Sequence, residues 1–386
     1  MITKFDSLFA GHIDMENAGY AGTPVNDRRF PNEDLAGVFD KAQAMAQLMD
    51  RVGYNAFWMA EHHFQHEGYE CIPNVLMTAL HLAHVTRRLK IGCGFNITPM
   101  WHPLRLAEDY ATADILTGGR IIFGVGRGYH TREVETFGSP LLDQQANREL
   151  FEEQIDIIFR AFNEKSFSHR GKYYTLPPEV PYRGYTLKEL TVVPRPLRLP
   201  VECWQPIQGG TARAMDFMAK HGIRGLIGGG SAEGGAMHRV VLGWQEAHAR
   251  RDQHLELGER LCFGFHFYLA KNREQGIREA AKYYEENMKM SGANCASISS
   301  AKKPPRRTSS SNVPVSTMRP PRNTRMRLAL RMVASRCAMT NVVRPFMTSS
   351  SAILSRASVS GSSALVASSR MRIGGSLSSA RATAMR

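Results

Sequence analysis

The chain has 386 residues and carries 49 Lys and Arg against 35 Asp and Glu, a formal charge of +14. This length suits one large domain or two medium ones. No apolar run is long enough to span a membrane, and the first residues lack the pattern of a signal peptide. Six cysteines without a Cys-x-x-Cys pair favour neither a zinc site nor a disulfide framework, so we expect a cytoplasmic protein.

The positive charge is confined to residues 291–386. This segment has 14 Arg, two Lys and 22 Ser but no acidic residue, whereas residues 1–290 hold 33 basic and 35 acidic side chains. We therefore divide the chain into a globular domain, 1–290, and a low-complexity tail, 291–386, that is predicted to be disordered. A one-base shift of reading frame in a GC-rich gene gives such a composition. The alternative is an Arg/Ser-rich arm that binds nucleic acid, although it has no interleaved aromatics.

Apolar runs typical of strands alternate with amphipathic helical runs along residues 5–290. In chain order, each predicted strand is followed by its helix: Phe5–Gly11 and Leu35–Val52, Asn55–His62 and Pro73–His84, Arg88–Ile97 and Pro103–Leu116, Arg120–Gly128 and Asn147–Phe162, Val201–Gln205 and Thr211–His221, Gly222–Gly230 and Ala236–Ala249, Leu261–Ala270 and Glu274–Met288. This alternation predicts a parallel sheet, and seven sequential units favour an α/β fold of the (β/α)8 TIM-barrel type. The eighth unit is missing where the tail begins, which would leave two strand edges unpaired.

In such a barrel the active site lies at the carboxyl ends of the strands. The second predicted strand ends in Glu61-His62-His63-Phe64. An imidazole there can exchange protons near neutral pH, so His62 and His63 are candidates for catalysis or cofactor contact. The alternative is that both serve structural polar packing. No metal site is predicted, because adjacent strand residues point to opposite faces and a metal needs convergent ligands.

The fourth strand ends in Gly124-Val125-Gly126-Arg127-Gly128. Tyr129 stands where a dinucleotide fingerprint needs its third glycine, so that motif fails. Glycines still permit close approach of the backbone to a ligand, and Arg127 offers a forked cation for phosphate. Alternatively, Arg127 pairs with Glu133 or Glu135.

Two further features lie at other strand ends. Gln208-Gly209-Gly210-Thr211 opens the helix after the fifth strand, where backbone amides suit an anion. Four aromatic residues could flank a flat ring or simply fill the core: Trp58, Phe95, Trp101 and Trp204. The Pro-rich segment Tyr173–Pro200 is a candidate lid.

Taken together, these motifs resemble the bacterial luciferase-like flavin-dependent monooxygenase family. The resemblance covers about residues 5–290 and is carried by Ala60-Glu61-His62-His63-Phe64, His102-Pro103-Leu104-Arg105-Leu106-Ala107-Glu108-Asp109, Gly119-Arg120, Phe123-Gly124-Val125-Gly126-Arg127-Gly128 and Phe137-Gly138. It implies a TIM barrel, usually a homodimer, that takes reduced FMN from a separate NAD(P)H:flavin reductase. O2 is the co-substrate, which adds to the flavin as a C4a-hydroperoxide and then oxidises a small, apolar organic substrate.

The resemblance also implies roles for particular residues. His62 matches the catalytic histidine of the family, with His63 beside it. Arg127 and Arg148 match arginines that hold the FMN phosphate. The implied cofactor-binding set is Gly126, Arg127, Arg148, Gly209, Gly210 and Thr211. Luciferase itself has a reactive cysteine where this chain has Gly126, so light emission is not expected.

Three alternatives stay open from the sequence. The first is a deazaflavin-dependent oxidoreductase on the same fold, and the second is a protein that binds nucleic acid through its basic tail. The third is an inactive product of a shifted reading frame. The monooxygenase hypothesis, which we favour, needs no nucleic-acid or membrane partner.

Overall fold

The computed structural model describes residues 2–14, 28–207, 210–228, 236–266, 268–281 and 364–369. The strands are β1 Ile2–Phe9, β2 Ala56–Met59, β3 Lys90–Cys93, β4 Asn96–Ile97, β5 Ile121–Gly126, β6 His169–Arg170, β7 Thr175–Leu176, β8 Pro181–Tyr182, β9 Tyr185–Thr186, β10 Cys203–Pro206, β11 Arg224–Ile227, β12 Leu261–His266 and β13 Ala364–Ser369. The helices are α1 Asn32–Val52, α2 Val75–His84, α3 Pro103–Leu116, α4 Thr131–Val134, α5 Gln144–Asn163, α6 Ala212–His221 and α7 Ala236–Ala249. Residues 273–281 are also helical.

Seven parallel strands form the body of a curled sheet. β1 pairs with β2, β2 with β3, β3 with β5, β5 with β10, β10 with β11 and β11 with β12, each in parallel. Helices alternate with these strands along the chain, which confirms the predicted TIM-type α/β fold. Because parallel strands end at the same edge, the loops after β2 and β5 meet at one mouth.

The tail contributes the strand between β12 and β1. Ala364–Ser369 pairs antiparallel with both neighbours, through Ser369 with Ile2 on one side and Ser369 with Leu261 on the other. The eighth position of the ring is therefore filled by an antiparallel strand, whereas a standard (β/α)8 barrel has a parallel one. The rest of the predicted tail lies outside the described residues.

The helix ends follow local sequence signals. Gly53 ends α1 with φ +86°, a left-handed conformation that glycine adopts without strain. The side chains of Asn74, Asp143 and Thr211 cap α2, α5 and α6 by accepting backbone N–H groups. Six of the seven parallel strands are shorter than predicted, mainly because apolar residues continue into the loops at the mouth of the sheet, whereas β1 is one residue longer.

Inside the ring of strands, two buried indoles pack edge to face. The ring centroids of Trp58 and Trp204 are 5.9 Å apart, and Trp58 Nε1 donates a hydrogen bond to Asp6 Oδ2 at 3.1 Å. At the amino ends of the strands, Glu202 accepts a 2.8 Å hydrogen bond from Arg224 and lies 3.5 Å from Lys90 Nζ. These contacts fill the interior and its lower end, so the opposite end is left for a site.

An ion-pair cluster joins α5 to α6 on the outer layer. Asp156 Oδ1 lies 2.8 Å from Lys220 Nζ and 2.9 Å from His221 Nε2. Partial burial by itself raises the pKa of Asp156, but hydrogen bonds and charge from His221 and Lys220 outweigh it and lower the pKa to about 2.

Among the described residues, no helix has the length and apolar character needed to cross a membrane.

Candidate active site

His62 lies in the loop after β2, at the mouth of the sheet. Its partners come from a loop that follows β5 and from the first turn of α4: Tyr129, His130 and Glu133. A fourth partner, Glu70, comes from the segment between β2 and α2. Four of the five side chains are almost fully buried, namely His62, Glu70, His130 and Glu133. The cluster is thus a buried polar network at the carboxyl edge of the sheet.

Both ring nitrogens of His62 have partners. Nδ1 lies 3.1 Å from Glu133 Oε1, and Nε2 lies 3.1 Å from the Tyr129 hydroxyl oxygen. A carboxylate only accepts hydrogen bonds, so its contact assigns the proton of a neutral imidazole to Nδ1. Nε2 is then the nitrogen that can accept or release a proton.

The surrounding carboxylates set the protonation behaviour of this network. Burial by itself lowers the pKa of His62, but the charges of Glu70, Glu133 and Glu61 more than offset it, so the pKa is raised. Burial likewise acts to raise the pKa of Glu133, yet its bond to His62 lowers it overall. Burial and the nearby carboxylates raise the pKa of the Tyr129 phenol.

His63 belongs to a different set of contacts. Its Nε2 lies 3.1 Å from Glu61 Oε1, a buried carboxylate that also accepts bonds from Ile97 N and Trp101 Nε1. The His63 ring packs edge-on against Phe137 at 4.8 Å between centroids. The structure therefore places the two adjacent histidines in separate environments, and the partners around Glu61 suit structural polar packing of His63.

Arg127 follows β5 directly and is paired with an amide. Its Nη1 donates to Asn147 Oδ1 at 3.2 Å, and Asn147 Nδ2 donates back to the Arg127 carbonyl oxygen at 3.2 Å. The alternative pairing with Glu133 or Glu135 is wrong, because Glu133 binds His62 and Glu135 accepts the backbone N–H groups of residues 141 and 142.

A second arginine lies beside Arg127. Burial lowers the pKa of Arg127, and the positive charges of Arg148 and Arg213 lower it further, whereas Glu152 acts in the opposite direction. Arg213 is neutralised by Glu152, with Nη2 and Oε2 2.6 Å apart. Within the described part of the chain, Arg148 has no hydrogen-bond or ion-pair partner. Two guanidinium groups that repel each other in this way would attract an anion.

The remaining residues predicted to bind the cofactor come from the start of α6 and the end of β5. Thr211 is the N-cap of α6, where its hydroxyl oxygen accepts from Ala214 N at 3.4 Å, and Gly210 before it has φ +58°. Gly209 lies outside the described residues. Gly126 ends β5, and a Cβ there would lie 3.3 Å from Phe95 Cβ. A Cβ at Gly124 would overlap the Cys93 carbonyl oxygen, so glycine is needed there for packing.

A sequence model described as luciferase-like monooxygenase matches residues 16–330, most of the chain. The chain belongs to this luciferase-like family. The match continues past residue 290, where we expected the resemblance to end. The family prediction is therefore confirmed.

Individual proteins similar to this chain are monooxygenases by name. The oxygenase component of the flavin-dependent trigonelline monooxygenase of Acinetobacter baylyi is 28% identical over 163 residues, 42% of this chain and 41% of that protein. The chain spans about two fifths of the length of the curated relatives it matches. Monooxygenase RslO1 from Streptomyces bottropensis has a TM-score of 0.59, with 20% identity over 72% of this chain and 79% of that chain. The oxygenating constituent of 3,6-diketocamphane monooxygenase from Pseudomonas putida, solved with FMN, has a TM-score of 0.55 at 18% identity, covering 72% and 71%.

Sequence reasoning missed all four partners of His62, and Glu133 was considered only as an alternative partner of Arg127. Tyr129 and His130 were used only to reject a dinucleotide motif or not at all, and Glu70 was not considered. The available signal was their position, since Tyr129 and His130 follow β5 just as His62 follows β2. The ligand atoms of His62, Glu70 and His130 lie within 4.8 Å of one another. The sequence did not predict this convergence.

The four aromatic candidates have mainly structural contacts. Trp58 and Trp204 are buried against each other, as core filling requires. Trp101 donates its indole N–H to Glu61 Oε1 at 3.0 Å. Phe95 packs against the cluster that contains both buried indoles. The segment predicted as a lid contains the hairpin β8–β9 and the second strand of the hairpin β6–β7.

Proposed function

We propose that this protein is a flavin-dependent monooxygenase that uses reduced FMN and O2 to oxidise a small, apolar organic substrate. The observation that carries the proposal is the short segment from residue 127 to residue 133. This segment contributes Arg127 to the proposed anion site, and it contributes three partners of His62: Tyr129, His130 and Glu133. A single loop thus connects a phosphate-type site with a proton-exchanging histidine.

The residues present fit FMN at its phosphate end. A phosphate dianion would satisfy the unpaired guanidinium of Arg148 and relieve its repulsion with Arg127. The first backbone N–H groups of α6, which follow Gly210 and Thr211, also favour binding of an anion, because they lie at the N-terminus of a helix. Gly126 keeps the end of β5 free of a side chain.

The protein's own part in the reaction is to bind, orient and shield. Reduced FMN, when bound, supplies the electrons that activate O2, as is general for flavin enzymes. Glu133 fixes the ring of His62 through Nδ1, so that Nε2 presents or takes a proton at a constant position. Tyr129 holds that nitrogen through its hydroxyl, and burial of the network limits access of water.

The finer features implied by the resemblance belong to the same proposal. A separate NAD(P)H:flavin reductase is supported by the name of the Acinetobacter relative, which is an oxygenase component. The homodimer and the division of the chain at residue 290 stay proposals. Sequencing the gene around the codon for Met290 tests the division: a frame that continues with a strand, a helix and balanced charge supports a shifted tail, and its absence contradicts it.

The experiment follows reduced FMN after mixing with air-saturated buffer. We expect the absorbance of oxidised flavin to return more slowly with the full chain than without it, because the bound cofactor is shielded. Arg148→Ala should remove the delay, whereas Arg160→Ala, another α5 arginine that pairs with Glu164, should keep it.

Two outcomes would contradict the proposal. Identical time courses with and without protein would show that reduced FMN is not held. Tight binding of a reduced deazaflavin without any effect on FMN would favour the deazaflavin-dependent oxidoreductase instead.

A further inference from the structure

Three buried side chains converge at the mouth of the sheet from separate stretches of chain. His62 follows β2, Glu70 precedes α2 and His130 follows β5, and each has at most 6% of its surface exposed. One ligand atom from each lies within 4.8 Å of the others. The rings of His62 and His130 are 4.9 Å apart and nearly perpendicular.

Two of the convergent atoms have no hydrogen-bond partner among the described residues. Glu70 Oε2 and His130 Nε2 lie 3.3 Å apart, but their geometry does not make a hydrogen bond, and both are buried. A buried polar atom left unpaired has lost its hydration without gaining a partner, which is costly. Native proteins therefore rarely leave two such atoms facing one another. A small ligand between them would satisfy both.

The surroundings of His62 match those of a metal-binding histidine. Such a histidine commonly gives its second ring N–H to a carboxylate, which fixes the tautomer and orients the ring. In this structure His62 Nδ1 faces Glu133 Oε1 at 3.1 Å, while Nε2 lies 3.5 Å from Glu70 Oε1. The supporting carboxylate is thus already present on the far side of the ring.

We propose that His62, Glu70 and His130 bind one divalent transition-metal ion of the zinc class. Two imidazole nitrogens and one carboxylate oxygen are ligands that zinc, cobalt or iron accept. Calcium and magnesium prefer sites built entirely from oxygen, so this donor set does not suit them. The Tyr129 hydroxyl lies 3.1 Å from His62 Nε2 and 3.3 Å from Glu70 Oε1, so it could hydrogen-bond to a water that completes the ligand set of the ion.

Occupation of this site has a consequence for the reaction proposed above. A metal ion on His62 Nε2 removes the nitrogen that would exchange a proton, so zinc should inhibit turnover reversibly. This consequence rests on the proposed function, whereas binding of the ion does not. The two parts can therefore fail separately.

The test is a titration of the full-length, flavin-free protein with cobalt(II), whose visible absorption reports nitrogen and oxygen ligation. We expect one cobalt per chain. Glu70→Gln and His130→Asn should each weaken cobalt binding at least about tenfold. Mutation of a residue that only supports a metal ligand already lowers metal affinity by about 10–100-fold. The matched control is His169→Asn, which removes another partly buried histidine paired with a glutamate, Glu153.

The outcomes separate the possibilities. No bound cobalt, or equal affinity in Glu70→Gln, His130→Asn and the unmodified chain, would overturn the proposed metal site. The contact between His130 and Glu70 would then be only an ion pair. Equal weakening by His169→Asn would overturn it too. If one variant fails to fold, the other still decides the question. Cobalt binding without zinc inhibition of flavin turnover would overturn only the inhibitory role, and inhibition reversed by a chelator would support it.

Discussion

Glu133 is the residue whose removal should be most costly in the candidate site. Its Oε1 accepts from His62 Nδ1 at 3.1 Å, His63 N at 2.9 Å and Gln65 Nε2 at 3.0 Å. Glu133→Ala leaves these three donors without an acceptor in a buried place. At about 1–3 kcal/mol for each unpaired buried donor, and with partial relaxation, we expect a loss of about 3–5 kcal/mol in the free energy of unfolding.

Glu135→Ala is the matched control for this prediction. Glu135 also accepts two backbone N–H groups, those of Leu141 and Leu142, each at 2.7 Å, but it is exposed. Water can replace that acceptor, so the expected loss is below about 1 kcal/mol. The assay is equilibrium unfolding in urea followed by tryptophan fluorescence. Equal losses for Glu133→Ala and Glu135→Ala would refute the reasoning from buried donors.

Three further predictions concern packing, pH and catalysis. Gly124→Ala should cost about 1–3 kcal/mol in urea unfolding, because its Cβ overlaps a neighbouring carbonyl oxygen, whereas Gly37→Ala, in open space on α1, should cost nothing. The lowered pKa of Asp156 stabilises the fold above its ordinary value near 3.8, and this gain is lost as pH falls toward about 2. Asp156→Asn should therefore flatten the acid-induced decrease in melting temperature, and an unchanged profile would contradict it. His62→Asn should slow turnover about 10²–10⁴-fold with little change in FMN affinity, and equal losses in both would contradict a proton role.

The fold was largely predictable because periodicity is a local property. The helix Pro103–Leu116 was predicted to the residue. Most of the parallel strands were predicted too long, since an apolar sequence continues into the loops at the mouth. The antiparallel β13 was not predicted, because Ala364–Ser369 carries no signal that distinguishes it from the rest of the tail.

The site was predictable only where one residue signals its own chemistry. His62 and Arg127 were found from their positions at strand ends. Glu70 and His130 were missed because their convergence depends on three segments meeting in space. Arg148, by contrast, was named from the resemblance alone. The structure supports its choice as an anion ligand, because it acts on the pKa of Arg127 and has no partner of its own among the described residues.

The most direct test of the account compares reduced FMN with reduced riboflavin, which lacks the phosphate, by anaerobic titration of the full chain. We predict that FMN binds at least about tenfold more tightly, since a charge-assisted hydrogen bond contributes about 1.5–3 kcal/mol. Arg148→Ala should abolish this preference and leave riboflavin affinity unchanged, while Arg160→Ala should preserve it. Equal affinity for the two flavins, or equal weakening of both by Arg148→Ala, would contradict a phosphate site at these arginines.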